Sequence, residues 1–577
     1  MNSTTQKIKI GILGGGPSAM FIYKRITESG NINFEVDIFE RKKQLGAGMP
    51  YSEEGANDEH VTNVSDNEIP TIVTSIEEWL QTAPKSILDR FNVDPNRFNE
   101  YKVLPRLLFG YYLTAQFELL QQKANEVGIK TSIHYESPVT DIIDHANENF
   151  VAVEINGETL HQFDYVIICT GHNWPKKSEG VVKGYFDAPY PPSKLALQLN
   201  HRVAIKGSSL TAIDAIRTLA RNNGTFNTDS DGHLSYELLA ASPNFKIDMH
   251  SRSGLLPAVR FHLEDSHLNN DSLLTEDEIA AHIAQNNGFL SLDYVFEKDF
   301  KNTFIGKDRD FYDKIRDLSI EEFVDEMMEL RERLDPFQLF KAEYIEAEKS
   351  IKRHQSIYWK EMLAVLSFAM NYPAKYLSAE DMQRLQKVLM PLISIVIAFV
   401  PQRSCIELLA LNDAGVLDLV PVGENSSVLP QSEGGVLYEF IDAAGNPKSE
   451  YYQTFVDCVG QPHLSYEDVP FPSLIAKKSI APARLKYKSH DAGQIDLDSE
   501  NKTVSRDAAG DFFLHVSGIA INDNFQILDQ YGAYNERIFI MAVPYIGGFN
   551  PDYSGLDFCE AASEKIINKL VESRSAV

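Results

Sequence analysis

The chain opens with an apolar run that predicts a buried β-strand, and a glycine-rich segment follows it directly. The run is Ile8–Leu13, and the next residues, Gly14–Ala19, have the sequence GGGPSA. A second apolar stretch, Phe34–Phe39, ends at Glu40. Strand, turn, helix, second strand and acidic residue in this order and spacing predict a unit that binds a dinucleotide. The alternative is a glycine-rich turn in another kind of α/β domain.

The residues of this first turn suit contact with a dinucleotide. Gly14 permits a tight turn, and Gly16 lets the backbone approach a pyrophosphate. Ala19 lets the following helix pack closely on the sheet, and the helix directs its free N–H groups and positive dipole end at the phosphates. Glu40 ends the second strand, where its carboxylate can accept hydrogen bonds from ribose hydroxyls.

A second strand, small-residue turn and helix occupy residues 203–215. The turn is Gly207-Ser208-Ser209, so a serine stands where a second glycine would let a pyrophosphate approach. Because serine is small, binding of a nicotinamide nucleotide can survive; the alternative is a unit that no longer takes this cofactor. Arg252 follows the next strand, where a cation can meet a 2′-phosphate, which favours NADPH over NADH.

Helical spacing of apolar residues replaces the strand pattern in the middle of the chain and predicts a mostly helical insertion over residues 271–411. Within it, Val388–Val400 is expected to be a core helix, because it is too short to span a bilayer and Pro391 interrupts it. A further helix is predicted over Val103–Gly128, with Arg106 in its first turn. We expect the insertion either to cap a substrate site or to form the face of a homo-oligomer.

Charge and cysteine content narrow the class of protein. The formal charge of −28 argues against nucleic acid and anionic membrane as partners, since both demand a basic surface. The four cysteines lie far apart, which excludes a disulfide framework, a structural zinc site and the redox-active pair of a disulfide reductase. No metal is expected. The short polar start leaves no room for a signal peptide, so the cytoplasm is the expected location.

Several further segments resemble one family, the bacterial FAD/NAD(P)-binding flavoproteins. They are Gly46–Tyr51, Thr62–Val64, Arg106 with Gly110–Leu113, Cys169–His172, Gly207–Asp214 and Ser251–Pro257. The resemblance covers both nucleotide units and the closing part of the chain but is thin over the helical insertion. It implies FAD in the first unit and NAD(P)H in the second. The segment 164–175 is also distantly similar to N-hydroxylating flavin monooxygenases, but it departs from them at Cys169 and His172.

The resemblance also implies roles for individual residues. Arg106 would contact a phosphate of FAD; the alternative is a surface charge on a helix. Val139 lies where a strand backbone holds the adenine, and the alternative is a packed strand residue. Thr170 and Gly171 would allow a close turn over the cofactor. His172 is expected to be a hydrogen-bonded structural histidine; the alternative is a contact with substrate or flavin. The expected cofactor-binding residues are Gly14, Gly15, Gly16, Pro17, Ser18, Ala19, Glu40, Arg41, Gly48, Asn63, Arg106, Val139, Thr170, Gly171, Gly207, Ser208, Ser209 and Arg252. No catalytic side chain is indicated.

The predicted fold is α/β, with two Rossmann-like dinucleotide-binding domains, the second inserted in the first, and the mostly helical insertion. The FAD-binding domain is expected to comprise residues 1–195 and 471–577. The NAD(P)-binding-like domain is expected to comprise residues 196–270 and 412–470, on either side of the insertion at 271–411.

Three functions are compatible with this organisation. The first is an NAD(P)H-dependent flavin monooxygenase that acts on a small polar metabolite, with an amine among the candidates. The second is a flavin reductase or dehydrogenase that passes electrons on without oxygenation. The third is a flavin-holding regulatory protein whose second nucleotide fold is degenerate. The substitution at Ser209 keeps the third hypothesis open.

Overall fold

The computed structural model describes residues 7–264, 273–371, 373–461, 464–499, 501–552 and 555–575. The expected domain boundary between residues 270 and 271 falls within 265–272 and lies outside the described residues. Two sheets whose strands are mainly parallel form the framework of the molecule.

Among the described residues, the strands form the two main sheets and five smaller ones. They are β1 (Ile8–Leu13), β2 (Phe34–Phe39), β3 (Val61–Ser65), β4 (Val103–Pro105), β5 (Lys130–His134), β6 (Val139–His145), β7 (Phe150–Ile155), β8 (Thr159–Phe163), β9 (Tyr165–Ile168), β10 (Tyr185–Phe186), β11 (Arg202–Lys206), β12 (Gly224–Thr228), β13 (Leu234–Leu238), β14 (Lys246–Ser251), β15 (Leu417–Pro421), β16 (Ser427–Pro430), β17 (Val436–Ile441), β18 (Pro447–Tyr452), β19 (Thr454–Asp457), β20 (Pro482–Lys486), β21 (Val504–Arg506), β22 (Phe512–Ile519), β23 (Gln526–Leu528) and β24 (Tyr534–Ile540).

The α-helices cover the two sheets and build the insertion. They are α1 (Pro17–Glu28), α2 (Ile76–Leu80), α3 (Lys85–Phe91), α4 (Arg106–Glu126), α5 (Leu210–Asn223), α6 (Glu276–Gln285), α7 (Leu292–Asp299), α8 (Arg309–Ile315), α9 (Ile320–Arg333), α10 (Pro336–Arg353), α11 (Tyr358–Ala369), α12 (Ala379–Arg384), α13 (Met390–Val396), α14 (Gln402–Asp413), α15 (Pro472–Ala476), α16 (His490–Asp498) and α17 (Leu556–Ser575). None of the described helices is both long enough and apolar enough to cross a membrane.

The first sheet has the strand order β23-β24-β9-β1-β2-β5, and the second has the order β10-β19-β11-β14-β15. Within the first sheet, β24, β9, β1, β2 and β5 pair in parallel, and every pairing in the second sheet is parallel. The chain leaves the first sheet after β9, builds the second sheet, and returns at β24 to pair with β9. The predicted α/β fold, with one nucleotide unit inserted in the other, is therefore confirmed.

The helical segment lies between β14 and β15 and packs against both units. Phe296, Phe300 and Phe323 lie in one continuous apolar core with the first sheet. Phe337 and Phe340 belong instead to the core beneath the second sheet. Because these aromatic side chains are all buried, the insertion is a structural bridge between the two nucleotide units.

Two helices are shorter than their apolar patterns predict, and a proline explains each difference. Val103 and Leu104 precede Pro105 and form a strand, so α4 begins at Arg106. Val400 precedes Pro401 and pairs with Val259, so the helix predicted up to Val400 ends at Val396. The ring of a proline disfavours helical backbone at the residue before it.

Candidate functional site

The turn after β1 has the geometry of a nucleotide-binding turn. Gly14 adopts φ +112°, and a Cβ added there would lie 2.5 Å from the carbonyl oxygen of Cys169. The φ value and the short distance both exclude a side chain at position 14, because L-residues rarely adopt this φ and real Cβ atoms do not approach another atom so closely. Glycine at this position therefore lets the ends of β1 and β9 meet.

Glu40 braces the same turn from the side of β2. Its Oε2 accepts a hydrogen bond of 2.8 Å from the amide of Gly15, and its Oε1 accepts one of 2.8 Å from the amide of Lys42. Each carboxylate oxygen keeps a further lone pair for a ligand hydroxyl. Gly16 is the N-cap of α1, and a Cβ there would be 3.3 Å from the Cα of Gly48. The turn and the loop at Gly48 are thus in close contact.

A cavity of about 950 Å³ opens over this turn, along the carboxyl ends of the strands of the first sheet. Because β2, β1, β9 and β24 are neighbours in that order, the cavity extends from Glu40 past Gly14 and Thr170 to Met541 and Tyr545. Ligands of open α/β sheets bind at this edge. Of the expected cofactor-binding residues, those that line the cavity are Gly14, Gly15, Gly16, Pro17, Ser18, Glu40, Arg41, Gly48, Asn63, Val139, Thr170 and Gly171.

The cavity wall fits an elongated dinucleotide such as FAD. At one end the braced carboxylate of Glu40 faces the cavity, and the N-terminus of the twelve-residue helix α1 lies beside it. Near the other end, Thr170 Oγ1 is buried without a hydrogen-bond partner among the described residues, although its side chain lines the cavity. Such an atom is normally satisfied by a bound group or water.

Two walls of this cavity are absent from the sequence-based expectations. Ala364, Ile397 and Phe399 of the helical insertion form an apolar roof, and the segment after β24 contributes Val543 to Tyr545. The segment after β24 could have been predicted from the sequence, because a buried parallel strand that returns to the sheet ends at the same ligand-binding edge. The apolar roof could not have been predicted from the sequence, because apolar residues at helical spacing predict only core packing.

Arg106 lies outside the cavity, contrary to the expectation that it contacts a phosphate of FAD. Its guanidinium pairs with the carboxylate of Asp214 at 2.7 Å and donates to the carbonyl oxygen of Gly55, and Arg106 does not line the cavity. Tyr190 Oη donates a 3.0 Å hydrogen bond to the same carboxylate. The structure therefore places Arg106 between the two nucleotide units, with its charge neutralised by a residue of α5. Ala19 is fully buried in α1 beneath the turn.

Burial and charge act against each other at Asp214. Burial alone would raise the pKa of this carboxyl, but Arg106, His60 and the hydroxyl of Tyr190 together hold its pKa below the usual value. His60 is fully buried, and its Nε2 lies 3.1 Å from the hydroxyl of Thr218 in α5. Burial lowers the pKa of His60. The contact between the two units is thus an internal network of hydrogen bonds around one ion pair.

The turn after β11 repeats the first turn closely. Gly207 adopts φ +111°, and a Cβ there would lie 2.6 Å from the carbonyl oxygen of Cys458. Its amide donates to His250 at 2.8 Å, as the amide of Gly14 donates to Phe39 at 2.8 Å. This equivalence aligns β14 with β2, residue by residue.

Ser209 takes the place of Gly16 at the start of α5. Its φ and ψ are −97° and −165°, against −84° and −164° at Gly16, so it lies in extended backbone that any residue adopts. The serine is exposed and its side chain does not cap the helix. Ser208 points elsewhere and donates to the carbonyl oxygen of Leu255 at 3.0 Å. The substitution at Ser209 therefore leaves the turn geometry intact.

The residue that corresponds to Glu40 in the second unit is Ser251. It follows His250 as Glu40 follows Phe39, so a hydroxyl stands where an acid would accept the ribose hydroxyls of NADH. Arg252 comes next and is exposed, with Glu424 at 3.4 Å as its partner on the surface. At such exposure this ion pair contributes little, and the guanidinium is accessible to an anion.

The segments that follow β9 and β19, called the crossing segments, are hydrogen-bonded to each other. Gln461, which follows Cys458, accepts from the amide of Asn173 at 3.0 Å and from His172 Nδ1 at 3.1 Å. Trp174 Nε1 donates to Gly460 at 3.2 Å. The first turn lies beside one crossing segment and the second turn beside the other. Nucleotides held by the two turns would therefore share this junction.

Comparisons with known proteins agree with this architecture. Residues 11–173 match the family model described as FAD-NAD(P)-binding, and residues 275–397 match the model described as the YdhS-like middle domain. The chain is 28% identical over 472 residues to the uncharacterized protein YdhS of Escherichia coli strain K12, which covers 81% of this chain and 85% of that protein.

Solved structures with a similar chain path have low sequence identity to this protein. The L-lysine 6-monooxygenase of Pseudomonas syringae has a TM-score of 0.44 and 10% identity, covering 98% of this chain and 99% of the other. The cadaverine monooxygenase DfoA of Erwinia amylovora has a TM-score of 0.43 and 12% identity over 98% and 94%. The bacillithiol disulfide reductase of Staphylococcus aureus has a TM-score of 0.42 and 10% identity over 99% of both chains. These values describe a likeness of fold and nothing finer.

The geometry of the first turn and the family match confirm that the first domain is of the FAD- and NAD(P)-binding type. Residues 11–173 match the FAD-NAD(P)-binding family model, and the chain carries two parallel sheets of the dinucleotide-binding type, one inserted in the other.

Proposed function

We propose that the protein is an FAD- and NADPH-dependent monooxygenase that acts on a small polar metabolite. The observation that carries this proposal is the pair of matched nucleotide turns whose crossing segments are bonded to each other at Gln461. Electron transfer between two nucleotides requires their reactive ends to meet, and this junction is where the two sites adjoin.

FAD would be held by the first turn, with Glu40 on its ribose and Thr170 as a donor or acceptor near its far end. When bound, the flavin takes a hydride from the nicotinamide and passes electrons to oxygen or to another acceptor. The chain itself supplies binding, orientation and exclusion of water. The apolar roof of Ala364, Ile397 and Phe399 serves the last purpose, because it covers the cavity with side chains that offer water no hydrogen bonds.

NADPH rather than NADH is the proposed reductant. Ser251 removes the carboxylate that would repel a 2′-phosphate, and Arg252 offers an accessible cation one residue later. The matched geometry of the turn at Gly207 argues that the second fold still binds its nucleotide.

Oxygenation is favoured over reduction of a protein disulfide by the state of the thiols near the cavity. Cys169 and Cys559 both line the cavity, and both are free and buried. Burial raises the pKa of Cys169 well above its usual range and that of Cys559 to about 12. Both are therefore protonated at neutral pH and are poor nucleophiles.

The proposal is tested by mixing the FAD-loaded protein with NADPH, first without oxygen and then with it. Bleaching of the flavin absorbance without oxygen shows that the two nucleotides meet. Aerobic turnover that couples NADPH oxidation to an oxygenated product, with less hydrogen peroxide than NADPH consumed, supports a monooxygenase. Peroxide equal to NADPH for every small metabolite tried would show a reductase without oxygenation.

A further inference from the structure

Gln461 is held in one orientation by backbone groups. Its Oε1 accepts the amide hydrogen of Asn173 at 3.0 Å, and its Nε2 donates to the carbonyl oxygen of Asn173 at 2.8 Å. A side-chain amide turned by 180° would place donor against donor and acceptor against acceptor at both contacts. The backbone of Asn173 therefore decides which atom of Gln461 faces the neighbouring histidine.

That atom is Oε1, which lies 3.1 Å from Nδ1 of His172. An amide oxygen can only accept a hydrogen bond, so the neutral imidazole must carry its hydrogen on Nδ1. Its Nε2 is then an unprotonated nitrogen with a free lone pair. Among the described residues Nε2 has no hydrogen-bond partner, and His172 lines the cofactor cavity.

The surroundings of His172 keep the ring neutral. Burial lowers the pKa of His172 below the usual value, and the hydrogen bond to Gln461 opposes this only in part. The neighbouring side chains are uncharged: Trp174 lies with its ring centroid 5.4 Å away, and Tyr545 bonds to Asn173. The ring of Tyr190 packs against that of Trp174. The hydroxyl of Tyr190 donates a hydrogen bond to the carboxylate of Asp214, which pairs with Arg106.

Other titratable groups lie on further walls of the same cavity. They include Glu68, Tyr111, Cys169, Asp552, Asp557 and Cys559, besides Tyr51, Tyr545 and the charged residues Glu40, Arg41, Lys42, Lys43, Glu53 and Glu54. The carboxylate of Glu68 is already neutralised by Arg260, and the pKa of both thiols is raised. The nitrogen of His172 is the acceptor that lies at the junction of the two crossing segments, next to Thr170 and Gly171.

We propose that His172 Nε2 accepts a proton from an N–H or O–H group of the substrate, and that Gln461 is the positioning residue that sets its tautomer. In this step the N–H or O–H bond of the substrate breaks, its electron pair stays on the substrate atom, and a new N–H bond forms at Nε2. The inference rests on the proposed function in that it assumes a substrate at the junction, while the tautomer follows from the geometry of Gln461.

A matched set of small probes tests this role without turnover. The probes are 1-pentanol and n-pentylamine, which carry donors, and methyl pentyl ether, which carries none. Dissociation constants for the FAD-loaded protein are measured from the change in flavin absorbance. We expect the donor probes to bind roughly tenfold more tightly than the ether, the value of one hydrogen bond, and His172→Phe to abolish the difference. Equal binding of all three probes, or no binding of the donors up to their solubility, would overturn the proposal.

The pH dependence separates proton acceptance from a structural role. The preference for 1-pentanol over the ether should disappear as the pH falls through the pKa of His172, because protonated Nε2 can only donate and both oxygens can accept. In Gln461→Glu the carboxylate stabilises the imidazolium, so the midpoint should move to higher pH. An unmoved midpoint contradicts the role of Gln461. A shifted flavin spectrum in His172→Phe without any probe would assign Nε2 to the flavin instead.

The tautomer is measured directly by NMR of the FAD-loaded protein labelled with ¹⁵N-histidine, with His172→Phe for assignment. The hydrogen is expected on Nδ1, and a hydrogen on Nε2 would overturn the inference. A failure of the proposed function shows itself differently, as the absence of flavin reduction by NADPH.

Discussion

Alanine in place of Gly207 should impair the second nucleotide site while the first remains loaded. The added Cβ would lie 2.6 Å from the carbonyl oxygen of Cys458, against the 3.0 Å that real Cβ atoms respect, so the turn and β19 must separate by about 0.4 Å. In addition, φ +111° costs alanine about 1–2 kcal/mol. Both effects disturb the tight turn that positions Ser208 and Ser209 for a pyrophosphate.

The expected result is a KM for NADPH, in anaerobic flavin reduction, that rises roughly 10- to 100-fold, as a binding loss of about 1.4–2.7 kcal/mol requires. The FAD-to-protein ratio should stay near that of the unchanged protein. Gly14→Ala is the mirror variant: its Cβ would lie 2.5 Å from Cys169, so FAD content should fall. Rates are measured by stopped-flow absorbance and FAD content by the spectrum of the denatured protein.

Gly232→Ala is the matched control. Gly232 lies in the same unit, between β12 and β13, with φ +85°, but a Cβ there would have no atom within 4 Å. It should lose a similar conformational free energy and leave the KM for NADPH unchanged. If Gly207→Ala and Gly232→Ala behave alike in flavin reduction, the second turn is not a nucleotide site and the reasoning is refuted.

Two further changes test the second unit and its contact with the first. Ser251→Asp restores an acid at the position of Glu40, so the ratio of kcat/KM for NADPH to that for NADH should fall at least about tenfold; an unchanged ratio would place the 2′-phosphate elsewhere. Asp214→Asn leaves the buried Arg106 unpaired and should lower the free energy of unfolding in urea by about 3–5 kcal/mol, with Asp58→Asn, at an exposed pair with Arg90, as the control at about 0–1 kcal/mol. Because the pKa of Asp214 is lowered in the folded protein, this contribution is present above its unfolded pKa and is lost as the pH falls through the folded value, so the two proteins should converge in acid. A constant difference down to low pH would contradict the ion pair.

The first nucleotide site could be predicted from sequence because its parts are local. Residues Ile8 to Glu40, which include β1, Gly14 and β2, occupy 33 consecutive positions, and each residue type has one main reason to stand at its position. The Thr170-Gly171 crossing was indicated by the family resemblance of the segment Cys169–His172. These residues meet at one cavity, which also confirms the order of strands that the fold class implies.

The contacts between distant segments could not be predicted in the same way. Arg106 is a plausible phosphate ligand by its motif, but its partner Asp214 comes from a helix of the other unit. The roof residue Phe399 lies where the apolar pattern predicts a helix, but its φ is +51° and the next residue, Val400, pairs with Val259. Ser251 became informative only when the hydrogen bonds of Gly14 and Gly207 aligned the two units.

The central claim is that the two nucleotide sites meet and that electrons pass between them. Anaerobic mixing of the FAD-loaded protein with NADPH tests it most directly. The account predicts saturable bleaching of the flavin absorbance, faster with NADPH than with NADH and impaired in Gly207→Ala. A flavin that stays oxidised at every concentration of either nucleotide would contradict it.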